Sequence, residues 1–336
     1  MTLPLRLTLT ALIVALSWIF GGAGGLLTLA LYVAGVSAGL PTGFVLFGRG
    51  AAAWASGALI GYGMLALAWS LPAAFGLASP LFFVAIWLLL LAISLGVRRA
   101  FGNRAPLVAL PDWTSRDSAA LLLVLHLVPL LVGSPFARTG ERDEAGTQYY
   151  RAYFTADFVW HMALTHELAR FEPELKNPYV ADEPMHYYWT YFMPPAVFAG
   201  RGGSEASPDV AAALKITATM TALLLLTMVY TVAWAATGRH WAAMAATALA
   251  VVAPSFEGLY ALHDLMQRGA PLEVLRSINI DAVSAWPQYP FRGVRVDNLP
   301  RSMWWTPQHS MSCALGLIGV LAASRLAKVT IAGALL

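Results

Sequence analysis

The chain has 336 residues, of which 58% are hydrophobic and only 12% charged. A soluble domain carries roughly 45–50% apolar and about 25% charged residues, so this composition excludes an ordinary soluble enzyme and a disordered chain. A formal net charge of +3 and a pI near 9.0 do not point to a nucleic-acid partner, because the basic residues stand singly along turns and loops, where they read as topology signals.

The apolar runs reach the length of about 20 residues that a helix needs to cross roughly 30 Å of hydrocarbon, which indicates membrane helices rather than barrel strands. Arg6 is followed by no charge until Arg49, a run too long for a cleaved signal peptide. As one helix it would measure roughly 60 Å, twice the core thickness. Two helices are expected, broken in the Gly21-Gly22-Ala23-Gly24-Gly25 cluster, where glycine tolerates turn dihedrals. Further spans are predicted at residues 51–75 and 80–97. A loop carrying Arg98, Arg99, Arg104 and Arg116 follows and is assigned to the cytoplasm by the positive-inside rule. A fifth span over residues 118–133 then crosses to the far side, with His126 as a packed polar residue.

Residues 185–200 decide the remaining topology. As a full span they would put the two polar segments of the chain on opposite sides. Their aromatic residues, from His186 to Tyr191, and the break at Pro194-Pro195 suit headgroup depth instead. Spans at 208–237, 241–255 and 306–323 then leave both polar segments outside and Arg239, Arg325 and Lys328 inside. Lys215 lies near enough to a helix end to snorkel, and Cys313, the only cysteine, is expected to be a small buried side chain that excludes an intrachain disulfide. Residues 329–336 resemble the start of a further span, as in the front portion of a longer protein. The expected fold is all-α: a polytopic transmembrane helical bundle of about eight spans plus a truncated ninth. Residues 1–117 form a four-span region with its basic loop. Residues 118–336 carry two large extracytoplasmic loops, 134–207 and 256–305, with interfacial helices.

Residues 135–206 and 256–305 together hold 15 of the 18 Asp and Glu residues, so chemistry is expected there. An amphipathic helix is predicted over 155–171, lying along the membrane surface, with Phe158, Met162, Leu164, Leu168 and Phe171 on its apolar side. Asp157 and His161, four apart, share a face of it and can hydrogen-bond or hold a divalent ion such as Mg or Mn between them; a plain capping acid and surface histidine is the alternative. Glu167 reads as solvated, as do the charged residues of 141–144 and 172–176. Asp182 or Glu183 is a second carboxylate or a cap for a helix starting at Pro184. His186, Tyr187 and Tyr188 follow directly, so that acid, imidazole and phenols sit together where a lipid phosphate and a sugar can be held. The second polar segment contributes Arg292, Arg295 and Arg301. Arg301 with His309 is a candidate phosphate cradle, set against an interfacial belt made by Trp304 and Trp305.

The run Ala156-Asp157-Phe158-Val159-Trp160-His161, followed by Glu167-Leu168-Ala169-Arg170, Asn177-Pro178-Tyr179 and Asp182-Glu183-Pro184-Met185-His186-Tyr187-Tyr188-Trp189, resembles the first large external loop of GT-C superfamily membrane glycosyltransferases. With Phe47-Gly48-Arg49-Gly50 ahead of a span and Pro307-Gln308-His309 opening another, it looks closest to the bacterial and archaeal YYY membrane proteins of that superfamily. Trp189 stands where the third tyrosine of that run would be. The resemblance extends from about residue 40 onward. It implies a polyprenyl-phosphate-linked sugar donor, a multi-pass protein of the bacterial inner membrane whose 118–336 region is the catalytic core, and an essential acid at Asp157. Inverting displacement is part of the same implication. On this expectation Asp157 is a general base or metal ligand oriented by His161, Asp182 or Glu183 a second carboxylate, and His186, Arg301 and His309 stabilise the departing phosphate, with Tyr187 and Tyr188 at the substrate. The competing expectation is a transporter or lipid flippase without covalent chemistry, although such sites are built from ionisable residues at mid-depth, where this sequence offers little beyond His126 and Lys215.

Overall fold

Glycine sets the first reversal of the chain. In the computed structural model, which describes residues 2–150, 157–172, 174–199, 209–252, 263, 266–269 and 299–326, the first helix α1 (Thr2–Val36) is interrupted at Gly21 (φ −164, ψ 20) and Gly22 (φ 55, ψ −135). The second of these conformations is open essentially to glycine alone. Beyond it the chain doubles back closely enough that a Cβ on Gly25 would collide with the backbone of Ser17. The uncharged N-terminal run is therefore two helices, broken at the first two glycines of the cluster. The second limb continues through a 3-10 turn (Ser37–Gly39) into α2 (Leu40–Phe47). Gly48 (φ 73) and Gly50 (φ 114) then turn it into α3 (Ala51–Ala74). Gly39 and Gly43 lie directly on Gly57 and Gly61, with no room for a Cβ at any of the four. Such close backbone approach supplies the van der Waals contact on which helix pairs depend in lipid.

Helix α4 (Pro80–Phe101) starts at Ser79, whose hydroxyl accepts from the Phe82 amide at 3.3 Å. Phe83 and Ser94 are its buried residues, and its outward face is leucine, valine and isoleucine, an apolar surface suited to lipid. Helix α5 (Ser115–Leu125) begins with a capping box in which Thr114 and Asp117 exchange bonds, satisfying two otherwise orphaned amides. It passes through His126 into α6 (Leu127–Arg138). Pro129 cannot donate to the preceding turn, and the His126 ring turns back along α5, its Nδ1 lying 2.6 Å from Leu122 O. His126 is the packed polar residue expected of it.

A short hairpin, β1 (Glu141–Arg142) with β2 (Gln148–Tyr149), precedes α7 (Phe158–Ala169). A second, β3 (Lys176–Asn177) with β4 (Val180–Pro184), precedes α8 (Met193–Ala199). Helix α9 (Val210–Thr237) is capped by Asp209, whose side chain accepts from the Ala211 amide at 3.1 Å, and stops at left-handed Gly238. Helices α10 (His240–Val252), α11 (Leu299–Trp304) and α12 (Pro307–Leu326) complete the described residues. The protein is thus almost wholly helical. Among the described residues, five runs are long and apolar enough to cross a membrane: Thr2–Phe47, Ala51–Ala74, Pro80–Phe101, Ser115–Arg138 and Val210–Thr237. Helix α10 is shorter, and residues 253–255 and 329–336, assigned to spans by sequence, lie outside the described residues.

The helices divide the molecule into two ends. At one, the segment after α4 pairs with the end of α2, Leu107 N donating to Val45 O at 3.2 Å and Val108 N to Leu46 O at 2.8 Å. Trp113 packs there on Trp234 near the end of α9, with ring centroids 4.7 Å apart. Arg49, Arg98, Arg99, Arg104, Arg116 and Arg239 all belong to this end. At the other end lie the close of α3, the start of α9, the hairpins and α7.

Two side chains and one segment depart from expectation. Lys215 does not snorkel outward; it is buried, donates to Thr139 O at 2.5 Å and stands 5.7 Å from the centre of the Phe20 ring, so the last carbonyls of α6 hold it. Cys313 is exposed on α12. Residues 185–199 divide in two: His186, Tyr188 and Thr190 are exposed, whereas Tyr191, Phe192, Met193, Ala196 and Phe198 are buried. The Tyr62 hydroxyl, midway along α3, donates to Tyr191 O at 2.5 Å. The segment dips among α1, α3 and α9, where irregular backbone is tolerated because protein surrounds it.

Candidate functional site

Helix α7 starts one residue after Asp157 and ends at Arg170, with Phe171 left-handed beyond it (φ 55). That conformation costs a non-glycine residue of order 1–3 kcal/mol. It is held by packing, since the Phe171 ring lies 6.0 Å from Trp69 on α3 and 6.4 Å from Phe83 on α4. Glu167, expected to be solvated, is buried. Its Oε2 accepts from Arg170 at 3.1 Å and its Oε1 from the Lys176 amide at 3.2 Å, fastening the β3–β4 hairpin to the helix. Glu172 also pairs with Arg170, at 2.5 Å. Asp143, in the segment read as solvation, organises a turn by accepting from the amides of Ala145 and Thr147 and from the Tyr149 hydroxyl. Those bonds favour its ionised form and lower its pKa.

Asp157 does not use its carboxylate to cap α7. Oδ2 instead accepts from the indole Nε1 of Trp305 at 2.6 Å, across 148 residues of sequence. A hydrogen bond to an ionised acceptor is worth roughly 1.5–3 kcal/mol. It brings the start of the first polar segment's helix against the junction between α11 and α12. Trp305 is half-buried, and its neighbour Trp304, read with it as a surface belt, is buried in the core.

His161 lies one turn along. Its amide donates to Asp157 O at 2.7 Å, but its ring turns to Tyr187, with Nε2 3.3 Å from the hydroxyl, and packs on Phe192 at 4.6 Å between ring centres. The indole of Trp305, not the imidazole of His161, holds the Asp157 carboxylate. Burial pushes the His161 pKa down to about 4, against the opposing pull of Asp157, so the ring is neutral at neutral pH. Burial, followed by the neighbouring Tyr188 phenol, raises the Tyr187 pKa, and its O–H stays intact as a donor.

Around this pair stands a wall of rings. Trp160 stacks on Tyr179 at 5.1 Å and meets Tyr187 edge-on at 5.6 Å. Tyr187 stacks on Tyr188 at 4.2 Å, and Tyr188 lies 5.8 Å from the His309 ring on α12. Asp157, His161, Tyr187, Tyr188 and His309 thus form one connected group. Asp182, Glu183 and His186 are exposed on and just after β4, and none is hydrogen-bonded to that group among the described residues. Arg292 and Arg295 lie outside the described residues, as does the side chain of Arg301, whose backbone belongs to α11.

Two residues near the junction of α11 and α12 were not singled out from sequence as binding groups. Trp305 is the first. The second is Gln308, 4% exposed, whose Nε2 and Oε1 are buried with no hydrogen-bond partner among the described residues. Three residues from Trp305, its Cα lies within roughly 11 Å of that residue's. A buried amide with both ends unmet is costly, and water or a ligand can complete its bonding. The sequence signal was a glutamine in the first turn of an apolar helix.

For a divalent ion the described residues offer Asp157 and His161 but no group of three His, Cys, Asp or Glu side chains, and Oδ2 and Nε2 already face Trp305 and Tyr187. The expectation of Mg or Mn rests on two donors, where an octahedral ion takes about six ligands. No family model matches the chain, and neither a curated protein nor a solved structure is found to match it.

Proposed function

We propose that the protein is an integral membrane glycosyltransferase of the bacterial inner membrane that moves a sugar from a polyprenyl-phosphate-linked donor to an acceptor hydroxyl on the extracytoplasmic face. The observation that carries this is the Asp157–Trp305 hydrogen bond, which gives a carboxylate a fixed direction beside aromatic rings suited to a sugar face. Arginines at the opposite end of the bundle support placing that end in the cytoplasm.

In this mechanism Asp157, with Oδ2 held by Trp305, takes the acceptor's proton through its other oxygen as the hydroxyl attacks the anomeric carbon. The new bond is acceptor oxygen to carbon. The bond that breaks joins carbon to the polyprenyl phosphate oxygen, which leaves with the electron pair. Tyr187 and His309 donate toward the charge growing on that phosphate, and Arg301, Asp182, Glu183 and His186 are assigned to the outer part of the site. Neutral His161 aligns the Tyr187 hydroxyl. The buried dip of residues 190–199 favours a second function, a lipid flippase or transporter, since broken segments at mid-depth build transport sites.

The test is sugar transfer from radiolabelled polyprenyl-phosphate hexoses and pentoses in membranes holding the wild type or Asp157→Asn. Transfer that falls at least about 100-fold in the variant supports the enzyme. Equal transfer by both proteins removes Asp157 from the mechanism, and lipid movement without a glycosylated product favours the flippase.

A further inference from the structure

The turn Phe47-Gly48-Arg49-Gly50 has no part in glycosyl transfer at Asp157, yet it lines a cavity of about 510 Å3 at the opposite end of the bundle, with Pro106, Asp112 and Trp113 across from it. Helix α3 runs its 24 residues between the two places, so they stand roughly 36 Å apart at about 1.5 Å per residue. Ligand cavities fall at roughly 300–1,000 Å3.

The walls of this one are set by backbone. Val45 O and Leu46 O accept from the amides of Leu107 and Val108. Gly48 (φ 73) lies against the Pro106 ring, where a Cβ would come within 2.7 Å of Cγ, and Gly50 (φ 114) lies against Trp113, 3.3 Å from a Cβ there. Trp113 is itself fixed, its Nε1 donating to Ser118 Oγ at 2.7 Å and its ring packing on Trp234. Into this frame project two opposite charges, Arg49 and Asp112. Both are exposed, and the ion pairs among the described residues are those of Arg170 with Glu167 and Glu172, so neither charge neutralises the other.

A guanidinium fork matches phosphate oxygens. A carboxylate beside an indole face matches an ammonium. A site for a simple anion would be weakened by Asp112, and a site for a simple cation by Arg49; together they fit a ligand bearing both charges. We propose that this cavity binds a phosphoethanolamine group, with its phosphate on Arg49 and its ammonium between Asp112 and Trp113. The group can belong to a phosphatidylethanolamine headgroup or to a soluble compound, and the site is independent of the chemistry at Asp157.

Binding is read from the rise in Tm of delipidated protein in a neutral maltoside detergent, titrated with dioleoyl phosphatidylethanolamine, dioleoyl phosphatidylglycerol or free phosphoethanolamine. The expected result is a wild-type affinity for phosphatidylethanolamine at least about tenfold above that for phosphatidylglycerol, lost by about tenfold in both Arg49→Ala and Asp112→Ala. An equal response to free phosphoethanolamine identifies the soluble group as the ligand, and a response to the lipid alone identifies the headgroup. Both side chains are exposed, so the unliganded Tm of each variant should match the wild type. Equal binding of the two lipids, binding that survives either substitution, or no response from the wild type would each overturn the proposal.

Discussion

The two ends of the bundle treat charge in opposite ways. Beside Asp157 several titratable side chains are given partners, Asp157 by Trp305, His161 by Tyr187 and Phe192, and Glu167 by Arg170 and the Lys176 amide, while Asp182, Glu183, His186 and His309 stay exposed. Arg49 and Asp112 are both exposed, and what is rigid is the glycine and proline backbone between them. Burial makes a carboxylate or imidazole directional and changes its protonation, as chemistry requires. Exposure leaves a charge at its ordinary strength, as suits orientation in a membrane or contact with a headgroup. Substitutions should therefore affect fold and function together at the Asp157 end, and at the Arg49 end only binding.

The largest effect on stability is expected at Phe171, the left-handed residue that ties α7 to α3 and α4. Phe171→Ala should cost about 3 kcal/mol or more, measured by unfolding in mixed micelles of increasing SDS content. A cost below about 1 kcal/mol would mean that α7 is not held by this contact. Next is pH. The His161 pKa is depressed from 6.5 to about 4 in the folded protein, so the unfolded chain binds the extra proton first as pH falls. Stability from this group is full above about pH 6.5 and should decline by on the order of 2 kcal/mol by about pH 5, disappearing toward pH 4. His161→Phe should flatten that slope, and an unchanged slope would assign it to other groups. Glu167→Gln keeps the shape but removes the charge; with Arg170 half exposed and screened, roughly 1–2 kcal/mol is expected, again from SDS unfolding. The smallest effect has the opposite sign. Gln308→Leu removes two unmet polar ends and should be neutral or stabilising by about 1 kcal/mol in the unliganded protein, while lowering sugar transfer; a clear destabilisation would show that the amide has a structural partner.

Much of the scaffold was legible because its signals are local. Gly22 adopts a conformation that glycine alone accepts readily, and the Asp157 to His161 spacing places both at the start of one helix. The partner of Asp157 was not legible. Trp305 is 148 residues away, and an indole at a helix mouth suits a headgroup as well as a carboxylate. Glu167 looked solvated because the Lys176 amide that receives it comes from a hairpin whose position is set by tertiary packing. Tyr191 misled for the same reason: it closes an aromatic run whose His186 and Tyr188 are exposed, and the bond from Tyr62 to its carbonyl helps hold it in the interior. Helix direction was easier to read than depth, since arginine positions report ends and nothing local reports burial.

The most direct measurement is disulfide formation between Tyr188→Cys and His309→Cys in a Cys313→Ser background, in intact cells, with a membrane-impermeant thiol reagent marking the side. The two rings are exposed, with centroids 5.8 Å apart, and a short bis-maleimide is used beside the oxidant to bridge the two cysteines where their Cα atoms lie beyond a disulfide's reach of about 7 Å. The expected result is efficient linking, with both cysteines labelled from outside before oxidation, so that one extracytoplasmic site contains both polar segments. Absence of the link, or labelling only after the membrane is opened, would contradict an external glycosyl-transfer site at Asp157.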